Sequence, residues 1–261
     1  MINITCDFQS CILATRVKVH VYLPNVVVFT DEVVDYKKHY SFAPFKTLYL
    51  LHGAWDSAEQ WVENTSALRL AEEANLALVI PSVGNTFYAN TLYGVNYEDY
   101  FLKELIGFAQ GMFPLSDRRE DNYIAGVSMG GYGALKTVFQ RPDLFSRCAV
   151  MSAVVDLSYS ARIIRTIGVE TDHTIGKWKE LKGSRYDLVP MLEKFDGRGN
   201  ELPELLMIDS TEDYLRETNE AFDRLLTEKG IKHTYKEYPG LHDWKFWDEH
   251  LKECIDFLVQ R

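Results

Sequence analysis

Asn122-Tyr123-Ile124-Ala125-Gly126-Val127-Ser128-Met129-Gly130-Gly131-Tyr132-Gly133-Ala134 decides how the rest of this chain is read. Residues 122–127 form an apolar, β-prone run of the kind a strand buried on both faces requires. Ala134-Leu135-Lys136-Thr137-Val138-Phe139 is rich in helix formers, and the predicted helix covers 131–140. Ser128 stands between them in a Gly-x-Ser-x-Gly turn. A serine at a sharp strand-to-helix turn holds its hydroxyl clear of the sheet, in a backbone conformation with no room for neighbouring side chains. Glycines two before and two after it remove that clash. The pentapeptide alone recurs by chance as a glycine-rich turn with an incidental serine. The strand before it and the helix after it give it meaning.

Outward from this turn the chain alternates. Residues 47–51 and 76–80 are further apolar runs, read as buried parallel strands. Residues 16–23 alternate polar and apolar until Pro24 closes them, and Val26 to Phe29 is a short β-prone run. Helical patterns cover 67–74 and 97–113, the second long and amphipathic. Downstream, strands are expected at 147–151, 205–208 and 233–238. Helices are expected at 214–229, closed by Gly230, and at 244–260. This order implies an α/β fold, a mostly parallel sheet with helices on both faces. Residues 157–200 break the rhythm and are expected to form a small helical cap insertion. Ile163, Ile164, Ile167, Leu188, Met191 and Leu192 there need something to bury against. With no repeats or linkers, 1–261 is read as one domain.

Composition narrows the function. Of 261 residues, 46% are apolar and 13% aromatic, enough for a large core. Lys and Arg number 28 against 38 Asp and Glu, a net charge of −10 that argues against nucleic acid and anionic membrane as partners. No apolar run approaches the ~18 residues that span a bilayer, and the first residues lack the pattern of a secretory signal. Cys6, Cys11, Cys148 and Cys254 form no metal-binding spacing and read as free thiols of a cytoplasmic protein.

A serine hydroxyl needs a base to take its proton, and a histidine after the last strand is the expected one. His242 follows strand 233–238 and the turn Pro239-Gly240. His20 and His233 fall within strands, His39 and His173 in irregular segments, and His250 within a helix. The acid that orients the imidazole should lie in the turn after a strand. Asp213 fits, with Asp209, Glu212 and Asp156 as competitors and a helix N-cap as its bland alternative. The oxyanion of the intermediate needs backbone donors. Met129 N–H is one candidate, and Ala54 N–H the preferred second, with Trp55 behind it. His52 reads as a structural brace for that loop. Trp55, Phe87 and Tyr88 are the candidates for substrate binding, since α/β folds place ligands at the C-terminal ends of strands. This chemistry needs neither metal nor cofactor.

Together these residues resemble the esterase D-like group of α/β hydrolases, which includes tributyrin esterases, feruloyl esterases and S-formylglutathione hydrolases. The resemblance runs from Tyr22 to the C-terminus. It is carried by Leu50-Leu51-His52-Gly53, Trp61, Asn85-Thr86-Phe87-Tyr88, the Ser128 motif, Thr211-Glu212-Asp213-Tyr214-Leu215 and His242-Asp243-Trp244. It implies Ser128, Asp213 and His242 as a triad, Ala54 and Met129 as an oxyanion hole, and leaves a homo-oligomer open. Five positions depart from the group's pattern. Asp209-Ser210 replace Cys-Gly, Leu241 replaces glycine, and Val127 and Tyr132 stand where formylglutathione hydrolases carry histidine. The expected activity is serine carboxylester hydrolysis of small soluble esters with short-chain or aromatic acyl groups. A thioesterase of the formylglutathione type or an acyltransferase is the alternative. A non-catalytic binding protein fits poorly, because no triad member is missing.

Overall fold

The computed structural model describes residues 1–25, 44–167, 171–195 and 198–260, so the run at Val26 to Phe29 lies outside the described residues. Eight strands form one sheet: β1 (Ile2–Ser10), β2 (Thr15–Leu23), β3 (Lys46–Leu51), β4 (Leu76–Pro81), β5 (Asn122–Val127), β6 (Arg147–Met151), β7 (Glu204–Ser210) and β8 (His233–Tyr238). Side by side they run β1, β2, β4, β3, β5, β6, β7, β8. β2 pairs antiparallel with both β1 and β4, and every other pairing is parallel. This is the α/β-hydrolase architecture.

Burial explains the patterns. β4 and β5 are buried at every position, as continuous apolar runs require. β3 divides its side chains by the two-residue period. Tyr49 and Leu51 enter one core layer while Leu48 and Leu50 enter the other. Helices α1 (Ala58–Glu63), α2 (Ala67–Glu73) and α8 (Trp244–Val259) cover the second layer. Helix α3 (97–112), α4 (Met129–Gln140) and α7 (Arg216–Glu228) cover the first, with α5 (Leu157–Ile164) and α6 (Leu188–Leu192).

The sequence reading differs at several elements. It places no strand at β1, although Ile2, Ile4, Cys6 and Phe8 alternate with exposed polar residues. That edge strand is held by register with β2, from Ile2 opposite Leu23 to Ser10 opposite Thr15. Phe8 stacks on Phe108 of α3 at 3.9 Å. The helix expected at 97–113 forms, but a π-helical stretch at Tyr100–Leu105 interrupts it. β7 runs on through Asp209 and Ser210, which are strand residues and not part of a turn. α7 starts only at Arg216, because Asp213 and Tyr214 form the loop before it.

Among the described residues, 157–200 holds α5, α6 and short 3-10 turns, and no strand. Ile164, Leu188, Met191 and Leu192 are buried in the first core layer. Two hydroxyls tie this insertion to the sheet's C-terminal end. Tyr132 of α4 donates to the Tyr186 carbonyl at 2.7 Å, and Tyr186 donates to the Asn90 carbonyl at 2.9 Å.

Candidate active site

Ser128 has φ 54° and ψ −118°, a left-handed conformation for a residue with a side chain. Such strain costs on the order of 1–3 kcal/mol and persists only where the surroundings impose it. Here Ser128 N–H donates to Met151 O, and the amides of Tyr132 and Val154 both donate to Ser128 O, each at 3.1 Å. The flanking glycines are sterically required. A Cβ on Gly126 would lie 2.4 Å from the Gly130 carbonyl, and one on Gly130 would lie 2.2 Å from Leu51 O. The turn therefore aims the serine side chain away from the sheet while α4 begins at once behind it, with Met129 as its first residue. Amides in a helix's first turn have no helical acceptor and concentrate positive potential.

His242 sits between β8 and α8 and meets Ser128 from across the molecule. Its Nε2 lies 3.0 Å from Ser128 Oγ, and its Nδ1 lies 2.8 Å from Asp213 Oδ2. With Nδ1–H donated to the carboxylate, Nε2 presents its lone pair to the serine hydroxyl. The Asp213 side chain is fully buried, and its other oxygen accepts the Leu215 amide at 2.8 Å. Burial pushes this carboxyl up, but hydrogen bonds from His242, Leu215 and Ser152 and the charge of His242 outweigh it. Asp213 is held below the usual carboxylate range. Ser152 is fixed in turn by Trp247, whose indole N–H donates to its hydroxyl at 3.1 Å.

The loop after β3 faces Ser128. A Cβ on Gly53 would touch the Ser128 side chain at 3.6 Å. Trp55 N–H is already donated to Asn85 Oδ1 at 2.7 Å, whereas Ala54 N–H makes no hydrogen bond among the described residues. His52 braces this loop: its Nδ1 lies 2.7 Å from Gly53 O, and its Nε2 accepts the Val83 amide at 3.1 Å. Burial lowers its pKa, in keeping with a neutral ring.

A cavity of about 290 Å³ opens on Ser128 and His242. Gly53, Ala54, Trp55, Phe87 and Met129 line it together with Val154, Ser160, Ile164 and Tyr214. Trp55 is exposed at its rim and Phe87 buried in its wall. Tyr88 does not line it. Its ring packs against Gly133, its hydroxyl donates to His52 O at 3.2 Å, and its carbonyl accepts buried Lys136 Nζ at 2.9 Å. Tyr88 therefore supports the wall from behind. Among the described residues no three His, Cys, Asp or Glu side chains are grouped to hold a metal ion.

Residues 10–258 match the model of the family Esterase, described as "Putative esterase". The chain belongs to this esterase family. It is 28% identical to an acetyl esterase of Caldicellulosiruptor saccharolyticus, over 82% of this chain and 83% of that one. FphF, a fluorophosphonate-binding serine hydrolase of Staphylococcus aureus, superposes with a TM-score of 0.86 at 30% identity, covering 99% of this chain and 98% of that one. The S-formylglutathione hydrolase FrmB of Staphylococcus aureus matches over the same shares, also at 0.86, with 31% identity. The chain is thus a serine hydrolase acting on carboxylic esters.

Several residues of the esterase's site escaped the sequence reading. Val154, Ser160 and Ile164 reach it from β6's exit and from the insertion, where no motif marks them. Ser152 and Trp247 buttress Asp213 from two separate elements. Tyr214 stood within a quoted motif, but nothing in its spacing told which way its ring would turn. Asp209, one of the departures from the group's pattern, is buried near Asp213. Burial first, then the charges of Asp213 and Glu237, push its carboxyl up to about 8 against the pull of Tyr235. It faces Asp213 as a carboxylic acid at neutral pH.

No helix among the described residues is long and apolar enough to cross a membrane.

Proposed function

We propose that this esterase hydrolyses small soluble esters with short-chain or aromatic acyl groups, using Ser128, His242 and Asp213 as a triad. The continuous hydrogen-bonded path from Ser128 through His242 to Asp213, ending in a small cavity, carries this reading. His242 Nε2 takes the hydroxyl proton as Ser128 Oγ attacks the ester carbonyl. The amides of Ala54 and Met129 receive the oxyanion. Ala54 is assigned over Trp55 because the Trp55 amide is committed to Asn85. His242 then gives its proton to the leaving alcohol. An acyl-enzyme forms, and water activated by His242 releases the acid.

The cavity volume lies at the low end for ligand sites, which favours a short acyl chain or one flat ring among Phe87, Val154 and Ile164. The acetyl esterase relative supports the same size class. A cytoplasmic setting belongs to the proposal, and the four free cysteines, two of them buried, support it. A thioesterase is the second reading, favoured by the likeness to a formylglutathione hydrolase.

Hydrolysis of p-nitrophenyl acyl esters from acetyl to dodecanoyl, beside methyl ferulate and S-formylglutathione, tests the proposal. Rates should be greatest for the short acyl esters or the ferulate and fall steeply for long chains. Ser128→Ala should lose fluorophosphonate labelling and lower kcat by about 10⁶-fold. A folded Ser128→Ala protein that retains wild-type turnover refutes the assignment.

A further inference from the structure

Tyr214 follows Asp213 directly, lines the catalytic cavity and is 39% exposed at its mouth. Its ring tilts over the imidazole of His242 with centroids 4.7 Å apart. Its hydroxyl lies 3.4 Å from His242 Nε2. One imidazole nitrogen therefore faces two hydroxyls, that of the nucleophile and that of Tyr214. The loop is fixed from the insertion side, where Tyr159 of α5 donates to the Tyr214 carbonyl at 3.2 Å. Burial and the charge of Asp213 push the phenol up to about 12. It keeps its proton through the neutral range and can act there as a donor.

The reaction needs a donor at this place. After Ser128 Oγ has bonded to the carbonyl carbon, the bond from that carbon to the alcohol oxygen breaks. The bonding electrons go to the alcohol oxygen, the His242 Nε2 proton follows them, and the oxyanion electrons re-form the carbonyl of the acyl-enzyme. The alcohol oxygen must therefore approach Nε2, the atom beside which the Tyr214 hydroxyl stands. Val154 and Ile164 form a buried wall while Tyr214 is exposed at the open mouth, a division that suits the acyl group and the alcohol respectively.

From this juxtaposition we infer that the Tyr214 hydroxyl donates a second hydrogen bond to the departing alcohol oxygen and suits the site to esters of unactivated aliphatic alcohols. The inference rests on the triad reading above. Tyr214 transfers no proton itself; it stabilises charge that develops on the oxygen as the bond breaks. An aliphatic alkoxide is strongly basic and gains most from such a donor. A p-nitrophenolate spreads its charge over the ring and gains little. A thiolate is a weak hydrogen-bond acceptor, so the same device gives a thioester little help.

The test is the leaving-group dependence of Tyr214→Phe, with kcat/KM measured for ethyl acetate and p-nitrophenyl acetate on the same preparation. Both substrates pass through one acyl-enzyme, and their ratio cancels any inactive fraction. The ratio of ethyl to p-nitrophenyl acetate should fall roughly 10- to 100-fold relative to wild type, as loss of one hydrogen bond to a charged oxygen implies. Equal losses on both esters, or no loss on ethyl acetate, overturn the inference and leave Tyr214 a packing residue. A wild-type enzyme that cleaves p-nitrophenyl acetate but not ethyl acetate overturns it as well. The triad reading fails separately, if Ser128→Ala retains activity on p-nitrophenyl acetate.

Discussion

Asp209 and Asp213 leave the same end of β7, are 1% and 7% exposed, and reach opposite states. Asp213 meets a histidine, a backbone amide and a hydroxyl, and is held ionised below its ordinary range. Asp209 finds the Tyr235 hydroxyl at 3.4 Å and the Ser210 backbone, leaves Oδ1 without a side-chain partner, and is pushed up to about 8. Burial is common to both, so burial does not decide which carboxyl carries charge. The donors arranged around each one do. Two buried charges side by side would oppose each other. The protonated state of Asp209 spares Asp213 a second buried charge beside it.

The comparison breaks most visibly at Asp213. Asp213→Asn keeps the shape but presents an amide that favours the wrong imidazole tautomer, and kcat should drop by about 10⁴-fold. An activity within tenfold of wild type would show that Asp213 is not the orienting acid. Asp209→Asn should instead act on stability. A carboxyl whose folded pKa lies above its unfolded one holds an extra proton in the native state between those values. Stability therefore falls as pH rises from the ordinary carboxylate range toward about 8. The Asn variant has no such proton to lose. It should match wild type near pH 4 and exceed it increasingly toward pH 8, by about 1.4 kcal/mol per pH unit, with a correspondingly higher Tm. Parallel Tm-versus-pH curves for the two proteins would mean that Asp209 ionises normally. The smallest effect is expected at Ser152→Ala. Removing one donor to Asp213 and the acceptor of the Trp247 indole should lower kcat roughly fivefold to tenfold. An unchanged rate would mean that His242 and Leu215 suffice to hold the carboxylate.

The same contrast describes what a reader of the sequence can find. That Ser128, His242 and Asp213 could meet was legible because each lies at or just beyond a strand end, where period, glycines and strand order place it, and the structure brings the three within hydrogen-bonding distance. The strand run before Ser128 and the helix formers after it are local properties of the chain. β1 carried its own alternation at Ile2, Ile4, Cys6 and Phe8, yet a half-exposed edge strand needs its partner β2 before that pattern has meaning. The reach of β7 through Asp209 was hidden for a similar reason. A buried acidic residue contradicts the apolar pattern that marks a strand, and the pairing that extends β7 there, opposite Glu237 of β8, belongs to a distant segment.

The sequence by itself determined the alternation of strands and helices, the glycine-bounded turn at Ser128, and the residue types able to act as base and acid. Backbone sterics and side-chain period act over a few residues, so they can be read along the chain. The tertiary structure alone decided that Trp55 gives its amide to Asn85, that Tyr88 stands behind the wall, and that Tyr214 turns its hydroxyl to His242. It also decided which of two neighbouring carboxyls is charged. Those outcomes depend on hydrogen-bond geometry and local dielectric between groups far apart in the chain, and neither quantity exists before the chain has folded.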